Sequence, residues 1–475
     1  MGKKSKKFFI KKSNNSDSNK IALINIYSNF ILQGVAFITT PIFTRLLGSE
    51  QFGIFSLFHS WVLIITCLMG LGINSSIGTG LYNFKNKYIE FRNSILLSST
   101  IICIIELFLI FIFGKIISGI VGISYYLIIA IGITAFTQYI INFAQFSYIY
   151  EKKAWSNFFL SISTAFLGVI ISLIFIKYLP NNLKYIGRIN GILITNICIS
   201  IIIWVTFFAK KPIFIKKEYL KFGLMVGFPI VFHSLSQQIL GQSDRVMMQM
   251  FSISNAEIGI YSLFYTLCSV MTTISSSLNN AWCPFYYDDV DNNRWIEINK
   301  KSKNYIELFS VLTIGFILLS REVSYIIGDN SYWSGINIIP ILALAVYFTF
   351  MYQFPVNFEF FHKKTKIIAL GTVFSGLLNI LLNYLLIPKY GMYGAAIATL
   401  LSYIALFIAH SIIVYSMKEF EYKMKFKLFL PGILSVLCAI TLFYLLRNLW
   451  IVRWFIGALI GLFELYRIYK RKSIF

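Results

Sequence analysis

Four charged side chains stand inside long apolar runs, and they are the residues through which this chain could do chemistry. Glu106 lies in one such run, Arg45 follows Pro41 at the end of another, and Asp244-Arg245 closes a third. An ionisable group placed where a membrane would be is a functional candidate by default. A carboxyl group in that setting can exchange its charge for a proton or hold a cation, so Glu106 and Asp244 are candidates for ion coupling. Arg45 and Arg245 keep their charge where water is scarce and are candidates for binding an anion. Structural alternatives stand beside these: Arg45 as a marker of the membrane interface, Asp244 as a neutraliser of Arg245.

Polar side chains accompany the charges at helical spacing. With about 100° between successive residues, Ser234, Gln238, Gly241 and Arg245 fall within about 60° of one another, and Gln242 flanks them. Asn25, Asn29 and Gln33 form a similar stripe in the first run. Such stripes point either at neighbouring helices or at a watery cavity. Enzymatic constellations are missing: there is no H-E-x-x-H, no P-loop and no acidic pair set in a soluble domain. No metal site or cofactor is expected. The four histidines are isolated in sequence, which favours packed or interfacial roles. The six cysteines are scattered with no C-x-x-C, as small core residues would be. The expectation is a transporter, not an enzyme.

The elements that carry these residues follow from composition. The chain is 57% hydrophobic and 13% charged, with a mean hydropathy of +0.72, and a soluble domain carries about 25% charged residues. Fourteen apolar runs reach the length needed to cross a bilayer, and none alternates with period two, so helices satisfy the backbone. The fold class is an all-α integral membrane protein of fourteen helices. The net charge of +23 reads as loop orientation and not as nucleic-acid binding. With the N-terminus inside, 32 of the 42 Lys and Arg residues fall on the inner side, which puts both termini in the cytoplasm. Residues 1–20 form a basic, disordered cytoplasmic tail.

An internal echo divides the runs. Gly53-Ile54-Phe55-Ser56-Leu57-Phe58 and Gly259-Ile260-Tyr261-Ser262-Leu263-Phe264 differ at one position and stand 206 residues apart. Lys184-Tyr185-Ile186-Gly187 answers Lys389-Tyr390-Gly391 at a similar offset. A duplicated unit of this size is a transporter signature. The expected lobes are 21–215 and 216–420, related by an axis normal to the membrane, with two further helices and a basic cytoplasmic tail in 421–475.

Three stretches carry a resemblance. Pro41-Ile42-Phe43-Thr44-Arg45-Leu46-Leu47-Gly48 with Phe52-Gly53 is the first. The second is Pro229, Asp244-Arg245, Ile258-Gly259-Ile260-Tyr261-Ser262 and Ala281-Trp282-Cys283-Pro284-Phe285. The third joins Lys363-Lys364-Thr365, Asn379, Asn383 and Ile387-Pro388-Lys389-Tyr390-Gly391-Met392-Tyr393-Gly394. Together they resemble the signatures of bacterial polysaccharide-biosynthesis flippases, the O-antigen and capsule repeat-unit transporters (Wzx type) of the MATE-like superfamily. The resemblance implies two six-helix lobes around a central cavity, with the last two helices outside, in the bacterial inner membrane. It implies an undecaprenyl-diphosphate-linked oligosaccharide as cargo, moved to the outer leaflet by alternating access, and polysaccharide polymerase machinery as a partner. H+ or Na+ would be the coupling ion. Arg245 and Arg45 would then hold the diphosphate, and Asn25, Asn29, Gln33, Ser234, Gln238 and Gln242 would meet the sugars. A flippase for the peptidoglycan precursor and a cation-coupled drug exporter are the rivals.

Overall fold

Helices account for nearly all the ordered backbone, because in lipid each N–H must find its acceptor within its own segment. The computed structural model describes residues 15–209, 215–417 and 423–471, with side chains almost throughout from residue 34 onward. No strand occurs among them. In chain order the helices are α1 (Asn15–Leu68), α2 (Ser76–Phe84), α3 (Tyr88–Val121), α4 (Tyr125–Tyr150), α5 (Ala154–Tyr178) and α6 (Lys184–Phe208). There follow α7 (Lys217–Met250), α8 (Asn255–Asp291), α9 (Trp295–Ile327), α10 (Ile339–Phe361), α11 (Thr365–Ser416), α12 (Leu430–Leu445) and α13 (Trp450–Arg471). Two of them are each a pair of helices joined at a left-handed glycine, Gly48 in α1 (φ 66°) and Gly391 in α11 (φ 54°). Nine stretches of the described residues are long and apolar enough to cross a membrane, and the longest, Phe37–Val121, contains several helices.

The chain forms two compact units. One takes in the chain up to Leu47 together with Ile54–Gln242, the other Gly48–Gly53 together with Ser243 onward. In the first, Phe91, Ile95, Tyr139, Phe143 and Phe207 are buried at the centre of one apolar cluster. Many large apolar side chains of α3 point outward instead, among them Phe108, Phe111 and Ile116, as lipid-facing positions should.

In the second unit, α12 and α13 both lie against α9. Arg453 of α13 is fully buried, pairs with Glu322 of α9 and donates to the Leu318 carbonyl at 3.1 Å. Arg467 and Arg471 reach Glu307 of α9 at 2.9 Å each. The last helix is therefore fastened along α9 by ion pairs near both of its ends.

The two near-identical hexapeptides begin at a contact, both sides of which belong to the second unit. A Cβ added to Gly53 would lie 1.8 Å from the Asn255 carbonyl oxygen, and one added to Gly259 would lie 2.0 Å from that of Ser49. Ser49 and Asn255 are 206 residues apart, as are Gly53 and Gly259. Equivalent residues thus exchange equivalent contacts, which is the mark of a local twofold. Backbones approach this closely only where no side chain intervenes. Gly53→Val or Gly259→Val should lose at least the ~1–3 kcal/mol typical of overpacking. The measurement is folded yield by fluorescence-detected size exclusion. Gly119→Ala, where a Cβ would meet nothing within 4 Å, should match wild type.

Candidate functional site

Asp244 is the centre of the polar cluster in the second unit. The sequence around it is helical through Met250, and the Ser254 hydroxyl then caps α8 by accepting from the Glu257 amide at 3.2 Å. Asp244 is fully buried. Its Oδ1 accepts from Asn383 Nδ2 at 2.7 Å, and its Oδ2 accepts from Thr399 Oγ1 at 2.7 Å and from the Tyr261 hydroxyl. Three neutral donors from α8 and the two segments of α11 therefore hold this carboxylate. Beside it, Ser243 Oγ donates to Asn379 Oδ1 at 2.7 Å, and Asn383 Nδ2 reaches the same oxygen at 3.0 Å. Asn383 Oδ1 and Asn379 Nδ2 are buried without a partner. A buried amide oxygen left over beside a carboxylate, in a nest of other oxygens, fits a small cation or a proton on the acid.

Arg245 turns away from its neighbour in sequence. Its Nε donates to Ser262 Oγ at 3.0 Å, and its guanidinium lies 4.4 Å from the centre of the Tyr265 ring. A guanidinium over an aromatic face keeps its charge at low hydration cost.

In the first unit Glu106 has a partner that spacing alone did not reveal. Between α1 and α2 the chain makes a left-handed turn at Gly70 (φ 62°), Leu71 (φ 49°) and Gly72 (φ 65°). Breaking a helix there frees backbone amides, and Glu106 Oε2 accepts from the Gly70 N–H at 2.9 Å. Leu71 pays the steric cost that its glycine neighbours avoid. Glu106 is thus both an embedded acid and the acceptor for an interrupted helix.

Of the other expected site residues, Ser234, Gln238 and Gln242 are half-buried on α7, and Gln242 Oε1 accepts from Ser60 Oγ at 3.0 Å. Arg45 is exposed on the first unit. The side chains of Asn25, Asn29 and Gln33 lie outside the described residues.

Two buried polar groups escaped the sequence reading. Arg188 lies in the first turns of α6, which starts at Lys184. Its Nη1 donates to Ser172 Oγ at 3.1 Å, with the guanidinium 3.8 Å above the Phe43 ring. The signal was present: Gly187-x-x-x-Gly191 is a small-residue spacing, and a Cβ at Gly191 would collide with the Ser172 backbone. Glu359 lies on α10, which passes through Pro355 to Phe361. It pairs with His410 of α11, one of the histidines read as isolated.

The profile of the polysaccharide biosynthesis protein family matches residues 19–287, more than half of the chain. The chain belongs to that family. A protein of the Lsg locus of Haemophilus influenzae is 23% identical over 376 residues, covering 73% of this chain and 85% of that protein. Among solved structures, the lipid II flippase MurJ in an inward closed conformation superposes with a TM-score of 0.74 at 16% identity, covering 94% of this chain and 99% of that one. An inward-facing multidrug resistance MATE transporter of the MOP superfamily gives 0.63 at 14%, covering 88% and 98%. The family's MurJ- and MATE-like fold is the one expected from the sequence.

The Glu106 contact separates two roles. Glu106→Ala leaves the Gly70 amide without its acceptor and should cost about 1–3 kcal/mol, whereas Glu106→Gln retains an amide oxygen and should melt near wild type. Thermal melting in detergent checks both.

Proposed function

We propose that the protein is a flippase that carries an undecaprenyl-diphosphate-linked oligosaccharide repeat unit from the cytoplasmic to the outer leaflet of the bacterial inner membrane. Membership of the polysaccharide biosynthesis family carries this reading. It is supported by a fold shared with proteins described as a lipid II flippase and a multidrug transporter. Fourteen spans with both termini cytoplasmic, lobes 21–215 and 216–420, and transport by alternating access without covalent chemistry belong to the same reading.

Each candidate residue has a role in it. Arg245 holds a phosphate oxygen, since a buried guanidinium on an aromatic platform is a permanently charged, forked donor. Arg45 is a second anion contact. Ser234, Gln238 and Gln242, with Asn25, Asn29 and Gln33, supply hydroxyls and amides to the sugars. Asp244, with the oxygens of Asn379, Asn383 and Thr399, binds the coupling ion, H+ or Na+, and Glu106 is a second candidate. The superposition on MurJ favours one alternative cargo, the peptidoglycan precursor, which shares the lipid diphosphate. Rescue of a strain depleted of its peptidoglycan-precursor flippase would select that alternative. Rescue of repeat-unit export alone selects the main reading.

In proteoliposomes carrying a labelled undecaprenyl-diphosphate sugar, Arg245→Ala should slow flipping about ten- to a hundredfold, the equivalent of ~1.5–3 kcal/mol for one charged hydrogen-bonding group. Arg245→Lys should restore part of the rate. Undiminished flipping by Arg245→Ala at equal protein level would leave Arg245 a structural partner of Ser262 and Tyr265. Orientation has its own measurement. A cysteine placed at the exposed Asn86 or Glu297 should stay unlabelled by an impermeant reagent in intact cells and react after lysis.

A further inference from the structure

The second unit contains a second acid that no role above uses. Glu359, near the end of α10, and His410, near the end of α11, are both fully buried. His410 Nδ1 lies 2.9 Å from Glu359 Oε1 and 2.8 Å from Oε2. The other ring nitrogen, Nε2, is buried without a partner. It stands over Gly371, where a Cβ would come within 2.3 Å of it. A carboxylate and an imidazole enclosed together can hold one proton or two. The neutral acid–neutral imidazole and the ion pair share a net charge, so only the arrival of a further proton makes the pair cationic.

The Tyr352 ring of α10 packs against His410 with centroids 5.7 Å apart, and its hydroxyl lies in the field of Glu359. Tyr403 of α11 faces the Thr349 side chain and lies in the field of both Tyr352 and Asp244, with Tyr265 of α8 beside it. Of the charged groups nearby, Lys364 at the start of α11 donates its backbone amide to the Glu359 carbonyl at 2.9 Å. On the face of α10 turned to α9, Tyr347 bonds Ser310 and Tyr305 packs on Phe350 and Phe354. The Tyr352 ring thus borders the Glu359–His410 pair, and the Thr349 hydroxyl donates to the Ala345 carbonyl at 3.1 Å.

We propose that Glu359 and His410 form a proton-binding site within the α10–α11 packing of the second unit. A proton taken up at His410 beside the ionised Glu359 turns a buried anionic pair into a neutral ion pair, and its release leaves the carboxylate uncompensated in an apolar interior. The inference rests on the flippase reading for its purpose, but its chemistry needs no cargo. The deciding measurement is therefore nitrogen NMR of the full chain, labelled with 15N-histidine, in lipid nanodiscs. With four histidines in the chain, His410→Gln assigns the His410 signals. One titration of the His410 ring between pH 5 and 9 is expected, and Glu359→Gln should move it to lower pH by about 1–3 units, because the neutral amide no longer favours the imidazolium. Glu359→Asp keeps the charge and should move it less, and it serves where the amide variant accumulates poorly. His410 signals that stay fixed from pH 5 to 9, or a transition unmoved in both variants, would overturn the proposal. A normal titration with no flipping of any lipid-linked sugar would instead indict the cargo reading and leave the proton site standing.

Discussion

Lipid offers no hydrogen bonds, and the structure is governed by where that shortage is met. A continuous helix satisfies itself, so the informative places are the interruptions. At Gly70-Leu71-Gly72 the freed amide goes to Glu106. At Gly391 the freed amide of Met392 lies 3.4 Å from Glu257 Oε2. Both of these breaks are answered by a carboxylate from another helix, which ties a bend in one segment to the ionisation of a side chain on another, whereas past Gly48 the Ser49 amide donates to the Ser331 hydroxyl at 3.2 Å. Protonating either acid would weaken its grip on the amide. The two breaks are thus places where charge and backbone shape are coupled by direct contact.

Asp244 shows a different solution to the same shortage. Three neutral donors converge on it and fix the carboxylate in place, while Arg245 donates to Ser262 and lies against Tyr265. An isolated buried anion is expensive, and the unpartnered Asn383 Oδ1 beside it adds to the cost. A bound cation or proton would relieve both at once.

Much of this could be read from the chain, and the failures have physical causes. Apolar run length fixed the class and the order of helices, because the bilayer imposes that length. The embedded charges were found wherever they interrupted a long apolar run, as Glu106 and Asp244 do. Glu359 was missed because Pro355 looked like a helix end. In a packed bundle a proline can sit inside a helix when neighbouring groups take up the freed carbonyl. His410 was missed because a pair 51 residues apart on two helices has no spacing to recognise. The partners of Glu106 and Arg188 are tertiary for the same reason, and no periodicity within one helix predicts them.

The crossing of Gly53 and Gly259 bears on how such a chain can drift. Each glycine is the other's neighbour, so a side chain gained by either one is blocked by the backbone facing it. Neither can be relieved by a smaller partner, because glycine is already the smallest. Change at this point is forbidden from both sides, whereas helix positions facing lipid are free to exchange one apolar residue for another. The echo between the two hexapeptides begins at this contact, with the one residue type that the contact admits.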